Sequence, residues 1–316
     1  MKIGYPCINT TIGCKSSRTF RLKSYSEERL TKTIENNLRC LEEILRFNAS
    51  HHILFFRITS DLVPFASHPI CKFDWQRYFK EEFKAIGDFA RSQHVRISMH
   101  PDQFTLINSL YDRVFENSVR ELVYHAQILD LMELDSTAKI QIHVGGVYGD
   151  KEKSMRRFIE RFGKLDKIVK RRLVIENDDG RYSLRDCLKI SAEVGIPVLF
   201  DVFHHEVNNF GETMGEAFRL FAKTWKEKDG LPMVDYSSQR KGEREGKHTE
   251  TIDLEKFRNF LEETKPFDFD IMLEIKDKEK SALKAIEVAS QDNRWIYVTW
   301  CARKNGHRCF FQPQRS

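Results

Sequence analysis

Eight short β-prone runs alternate with amphipathic stretches along the 316-residue chain, and this alternation limits the possible folds more than any other feature. The runs fall at 2–7, 53–59, 95–100, 139–144, 173–177, 197–202, 232–236 and 271–276. After the first, Leu30, Ile34, Leu38, Leu41 and Leu45 recur at helical spacing. Ser24 followed by Glu27 reads as the capping box of that helix. Further helical patterns occupy 73–93, 112–133, 151–170, 183–194, 211–227, 253–263 and 278–289. Eight strand–helix units predict a single α/β domain, a TIM (β/α)8 barrel. A doubly wound open sheet is the alternative, but no G-x-G-x-x-G follows the first run. No Gly/Ser-rich linker divides the chain, so residues 1–290 read as one barrel domain and 291–316 as an aromatic, basic tail on or near it.

Period-two alternation assigns faces within the runs. In KIQIHV, Ile140, Ile142 and Val144 share one face, and Lys139, Gln141 and His143 the other. In VRISMH, Val95, Ile97 and Met99 oppose Arg96, Ser98 and His100; in IMLEIK, Ile271, Leu273 and Ile275 oppose Met272, Glu274 and Lys276. Glu176 opposes Leu173 and Ile175 by the same parity, and Asp201 opposes Val198 and Phe200. In a barrel the apolar set packs on the helices and the polar set points inward.

The inward titratable groups lie at the C-terminal ends of their strands, where barrels of this kind build active sites. They are His100, His143, Glu176, Asp201 with His204, Asp235 and Glu274; His68 and His248 follow in loops on the same face. Each alone is compatible with an ordinary hydrogen-bonded structural residue. Together they need partners, because several carboxylates at one mouth repel unless cations sit among them. Mixed imidazole and carboxylate donors suit zinc, manganese or iron. The ligand count exceeds one site, which predicts a cluster of two or three divalent ions.

Composition narrows the class. The chain is 41% hydrophobic and 31% charged, as a soluble globular protein is, and no apolar run approaches a membrane span. The start MKIGYPCINTT has no signal-peptide core, so a cytoplasmic location is expected. Seven cysteines without a C-x-x-C pair predict reduced thiols, Cys7 and Cys14 among them, instead of a disulfide framework. A net charge of +5 leans toward a polyanionic partner. The basic run KIVKRR, at 167–172, lies at the other end of the barrel and reads as solvated surface.

The set GYPCIN, RITSDLVPFASHP, ISMHPDQF, IHVGG, VIENDD, FDVFHHEVNN and MLEIKDKE resembles the UV damage endonuclease family, from the first strand to about Glu279. The resemblance implies a TIM-barrel hydrolase that nicks double-stranded DNA immediately 5′ to cyclobutane dimers, pyrimidine–pyrimidone photoproducts and abasic sites. It implies manganese, with zinc or magnesium as alternatives, and a monomer that is nucleoid-associated in a prokaryote. Its metal ligands fall on His68, His100, His143, Glu176, Asp201, His204, His248 and Glu274. Two positions depart. Met233 stands where the family usually has a Lys, and Asp235, which can still ligate through oxygen, where it has a His. Glu176 and Glu274 are the expected bridging carboxylates and, with His100 and His143, the expected catalytic core. Metal-activated water would be the nucleophile, so no Ser or Cys is required.

For recognition, the resemblance makes Gln103 and Phe104 the residues that probe the duplex and fill the gap left by an extruded lesion, and places Tyr5 and Asn9 in the lesion pocket. The alternative for Phe104 is local core beneath its loop. The loop at 239–247 is a candidate phosphate contact. Two other readings stay open: a metal-dependent sugar isomerase or epimerase on the same fold, and a non-catalytic binder of damaged DNA.

Overall fold

The computed structural model describes residues 1–244 and 246–295. Eight parallel strands close into a barrel in chain order. They are β1 Ile3–Pro6, β2 Phe55–Ile58, β3 Arg96–Met99, β4 Lys139–His143, β5 Leu173–Glu176, β6 Val198–Asp201, β7 Met233–Tyr236 and β8 Asp270–Leu273. The main helices outside them are α1 Glu27–Ser50, α2 Lys80–Ser92, α3 Asp112–Leu131, α4 Lys151–Lys164, α5 Leu184–Val194, α6 Met214–Phe221, α7 Leu254–Glu263 and α8 Glu279–Ala289. The expected TIM barrel is therefore the fold, with every strand within the predicted run or one residue of it. No helix among the described residues is long and apolar enough to cross a membrane.

The core is the shell between strands and helices. Leu30, Ile34, Leu38, Leu41 and Leu45 of α1 are all buried, as their spacing requires. The cap of α1 is Ser26, whose side chain accepts from Arg29 N; the capping box read at Ser24 and Glu27 lies two residues too early. Gly4 is needed where β1 meets β2, since a Cβ there would lie 1.8 Å from Phe55 O.

Inside the barrel, charged and polar side chains recur at each level, interleaved with apolar inward residues such as Met233 and Met272. At the N-terminal end Arg96 pairs with Asp270 at 2.8 Å and Lys139 with Asp229 at 2.5 Å, all four buried. Above them lie Arg57, Gln141 and Asp235, and above those the strand-end groups. Arg172, expected in solvent, is 1% exposed and donates to Asp130 and to the carbonyls of Leu134, Asp135 and Ala138. Those carbonyls lie in the connection between α3 and β4, so the guanidinium locks that turn. Cys14 is not a free thiol: it is bonded to Cys40 of α1, which ties the β1–α1 loop to the helix. Cys7, Cys71 and Cys187 are free. Of the tail at 291–316, residues 296–316 lie outside the described residues. Arg294 donates to Leu261 O and Phe267 O, so the chain after α8 still packs on the barrel's N-terminal end.

Candidate metal centre

Strand register brings the strand-end groups together. His143 on β4 is the register partner of Glu176 on β5, and Asp201 on β6 that of Asp235 on β7. Asn177 joins the two pairs, since its amide donates to Asp201 O at 2.9 Å and accepts from Asp201 N at 3.0 Å. Asp201 then caps the short helix Val202–Val207, accepting from His204 N, and this turns His204 back toward the mouth. His205, next along, is buried and packs its ring on Phe200, away from the centre.

Glu176 is the hub. Its Oε2 lies 3.6 Å from His100 Nε2 and 3.8 Å from His143 Nε2, and its Oε1 lies 3.4 Å from His204 Nδ1. Three overlapping groups each have donor atoms within 4.8 Å of one another: His100, His143 and Glu176; Glu176, Asp201 and His204; Asp201, Asp235 and Glu274. Backbone carbonyls orient three of the imidazoles. His100 Nδ1 is 2.8 Å from Pro101 O, His204 Nδ1 is 3.0 Å from Asn177 O and His248 Nδ1 is 2.9 Å from Glu274 O, so each Nδ1 donates and each Nε2 keeps its lone pair for a ligand. His248 stands at the rim, its ring 6.1 Å from that of His204.

Charge in the centre is unbalanced in the way a bound cation would correct. Burial works against a charged His204, yet Asp201 and Glu176 raise it to about 11. Burial pushes Asp201 well above the usual carboxylate range, with Glu176 and Glu274 adding to it. Burial opposes ionisation of Glu274 too, but Arg57 overcomes it and brings this group down to about 2. Asp201 Oδ2 is buried without a hydrogen-bond partner. A buried acceptor beside clustered carboxylates and imidazoles fits a divalent ion held by His100, His143 and Glu176, and a second held by Glu176, Asp201 and His204.

The structure leaves other expected site residues apart. His68 is exposed, and its Nδ1 accepts from Ile70 N at 3.1 Å. It belongs to a neighbouring cleft with Asp102 and Phe104 instead of to the clustered donors. Asp235 is in the cluster, but both its oxygens accept from Arg57, at 2.8 and 2.7 Å, and Oδ2 also accepts from Gln141 at 2.6 Å. Tyr5 and Asn9 do not face the mouth. Tyr5 is fully buried on the helix side, where its hydroxyl donates to Asn48 of α1 and accepts from Asn9. Asn9 is buried too, and its Oδ1 accepts from Thr11 N and Ile12 N. The alternation of β1 carried this signal, since Tyr5 shares the apolar parity of Ile3. Gln103 and Phe104 stand free above the centre, Phe104 with 76% of its surface exposed, so it is not local core. In the loop at 239–247, Arg240 pairs with Glu250 and Lys247 with Glu243.

Sequence reasoning passed over Arg57 and Lys278, and put Gln141 on the inward face without giving it a role. Arg57 lies on an inward face too and could have been found by the same parity. Lys278 has a left-handed φ of +55° and lines the mouth. The mouth is a cavity of about 700 Å³ whose walls include Arg57, His100, His143, His248 and Glu274, with Phe104 at its rim.

Residues 1–297 match the family model described as UV-endonuclease UvdE. The chain is 40% identical over 300 residues to a UV DNA damage endonuclease of Clostridium perfringens (strain 13 / Type A), covering 94% of this chain and 72% of that protein. The crystal structure of SacUVDE is similar with a TM-score of 0.89 and 47% identity, over 93% of this chain and 100% of the other. A D-psicose 3-epimerase crystallised with D-fructose is similar with a TM-score of 0.55 at 12% identity, over 92% of this chain and 98% of the other, a likeness of fold alone.

Proposed function

The chain belongs to the UV-endonuclease family, and from that membership we propose that it hydrolyses the phosphodiester bond immediately 5′ to UV photoproducts in double-stranded DNA. Cyclobutane dimers, pyrimidine–pyrimidone photoproducts and abasic sites are the substrates of this reading, and manganese the metal, with zinc or magnesium as alternatives. The enzyme acts as a cytoplasmic monomer. The observation that carries the reading is the position of Glu176, with one oxygen facing His100 and His143 and the other facing His204. A carboxylate so placed can be shared by two ions.

Divalent ions held there by His100, His143, Glu176, Asp201 and His204 would supply Lewis acidity toward the phosphoryl oxygens and the attacking water. The chain's own residues arrange the rest. His100 and His143 hold one side of the centre and Asp201 and His204 the other, with Glu274 and His248 at the rim. The water oxygen forms a bond to phosphorus, the bond to the upstream O3′ breaks, and a proton ends on O3′. Gln103 and Phe104 insert where the lesion leaves the stack, which presents the bond on its 5′ side to the centre. Lys278, at the wall of the mouth, is placed to meet a backbone phosphate.

Binding and nicking of irradiated, abasic and intact duplexes, with chelated protein and after manganese is restored, test the reading. Manganese-dependent nicking 5′ to the lesion is expected. Binding without nicking would leave a damaged-DNA binder, and neither binding nor nicking would favour the sugar-enzyme alternative. Full activity in the chelated protein would refute the role given to Glu176.

A further inference from the structure

Three carboxylates at the barrel mouth, Asp201, Asp235 and Glu274, lie close enough together to hold an ion of their own. They already have a cation. The guanidinium of Arg57, from the middle of β2, is 3% exposed and reaches across the barrel interior. Its Nη1 donates to Glu274 Oε1, and its Nη2 donates to both oxygens of Asp235 and to Gln141 Oε1 at 2.7 Å. Gln141 extends the contact, because its Nε2 donates to Asp235 Oδ2 and to Glu176 Oε2 at 2.5 Å. One guanidinium and one amide thus fix three carboxylates: directly Asp235 and Glu274, and through Gln141 the hub Glu176. A divalent ion bound to Asp235 would sit against a fixed positive charge, which like-charge repulsion opposes.

We propose that Arg57 is the resident cation of the Asp201–Asp235–Glu274 triad, so that this triad takes no metal ion. Asp235 is then the counter-ion that anchors Arg57, not a ligand. Arg57 and Gln141 are positioning residues: Arg57 holds Gln141, and Gln141 orients Glu176, the carboxylate that the two remaining groups share. The proposal rests on reading the mouth as a metal centre, and it reduces the cluster to two ions built on Glu176.

The test counts manganese bound per chain, by elemental analysis after dialysis against Mn²⁺, in the wild type and four variants. Asp201→Asn removes a ligand of the second ion and should bind one ion fewer than the wild type. Asp235→Asn should bind as many as the wild type. Arg57→Met keeps an unbranched side chain but removes the charge, and should bind one ion more, because the freed triad becomes a cation site. Arg57→Met with Asp235→Asn should return to the wild-type count, since the new site has lost a ligand. A purely structural Arg57 would not create a metal site. No gain in Arg57→Met, with Asp201→Asn still losing an ion, would overturn this inference and leave the metal centre standing. Should Arg57→Met fail to fold, Asp235→Asn decides: an unchanged count supports the inference and a lost ion overturns it. A wild-type chain that binds no manganese would overturn the metal reading, and this inference with it.

Discussion

Replacing Gln103 and Phe104 with alanine separates damage recognition from chemistry, and exposure sets the magnitudes. Phe104 has 76% of its surface in solvent and Gln103 is exposed beside it. Truncating both opens no cavity, so unfolding free energy should change by no more than about 0.5 kcal/mol. Neither is among the clustered donors, so bound metal should be unchanged. If the pair fills the gap left by an extruded lesion, the variant loses stacking of about 1–3 kcal/mol per base. That corresponds to roughly a five-fold to a hundred-fold weaker Kd. On intact duplex there is no gap to fill, and the loss should be much smaller. Fluorescence anisotropy on irradiated and intact duplexes of one sequence reads both constants, with metal analysis and urea unfolding on the same preparation. At saturating enzyme the variant should still cut the same bond, only more slowly. An equal loss on both duplexes would reduce the pair to ordinary surface contacts, and a fall in stability or metal content would return Phe104 to a structural role.

Glu176→Gln removes the shared negative charge, so elemental analysis should show reduced metal occupancy and a plasmid assay a large loss of nicking; near-wild-type nicking contradicts the bridging role. Arg172→Met leaves the carbonyls of Leu134, Asp135 and Ala138 without their buried donor, while Asp130 keeps its ion pair with Arg171. It should cost about 1–3 kcal/mol in urea unfolding while metal content holds in the folded protein; a cost below about 0.5 kcal/mol would restore the solvated reading of this run. Glu279, buried at the start of α8, accepts from Thr10 N and from the hydroxyls of Thr10 and Thr11. Burial alone would raise its pKa, but these hydrogen bonds depress it below the ordinary value. A depressed carboxylate contributes stability that is complete above its unfolded pKa, about 4.3, and is lost as pH falls through the lower folded value. Glu279→Gln should therefore lose stability at pH 7 but show a shallower decline below about pH 4 than the wild type in parallel urea titrations; parallel declines would show that Glu279 does not titrate with folding.

Local pattern was enough for the barrel and for much of its centre. Period-two alternation depends only on neighbouring residues, so it located eight strands and put His100, His143, Glu176, Asp201 and Glu274 on inward faces. Strand polarity then put them at one end. The same parity turns Tyr5 of β1 toward α1, against the pocket position that the resemblance implies. What alternation cannot supply is a partner across the closed barrel. Arg57 meets Asp235 over 178 positions and Glu274 over 217, and Cys14 meets Cys40 over 26, distances that only closure and helix packing bring to contact. His68 and His248 both follow strands in loops, yet one accepts from Ile70 N and the other lies against Glu274 O. Their type and spacing are equally suited to a metal. Which imidazole keeps a free lone pair toward the centre is settled by the backbone groups that tertiary structure places around each ring, because a hydrogen bond at one nitrogen fixes the state of the other.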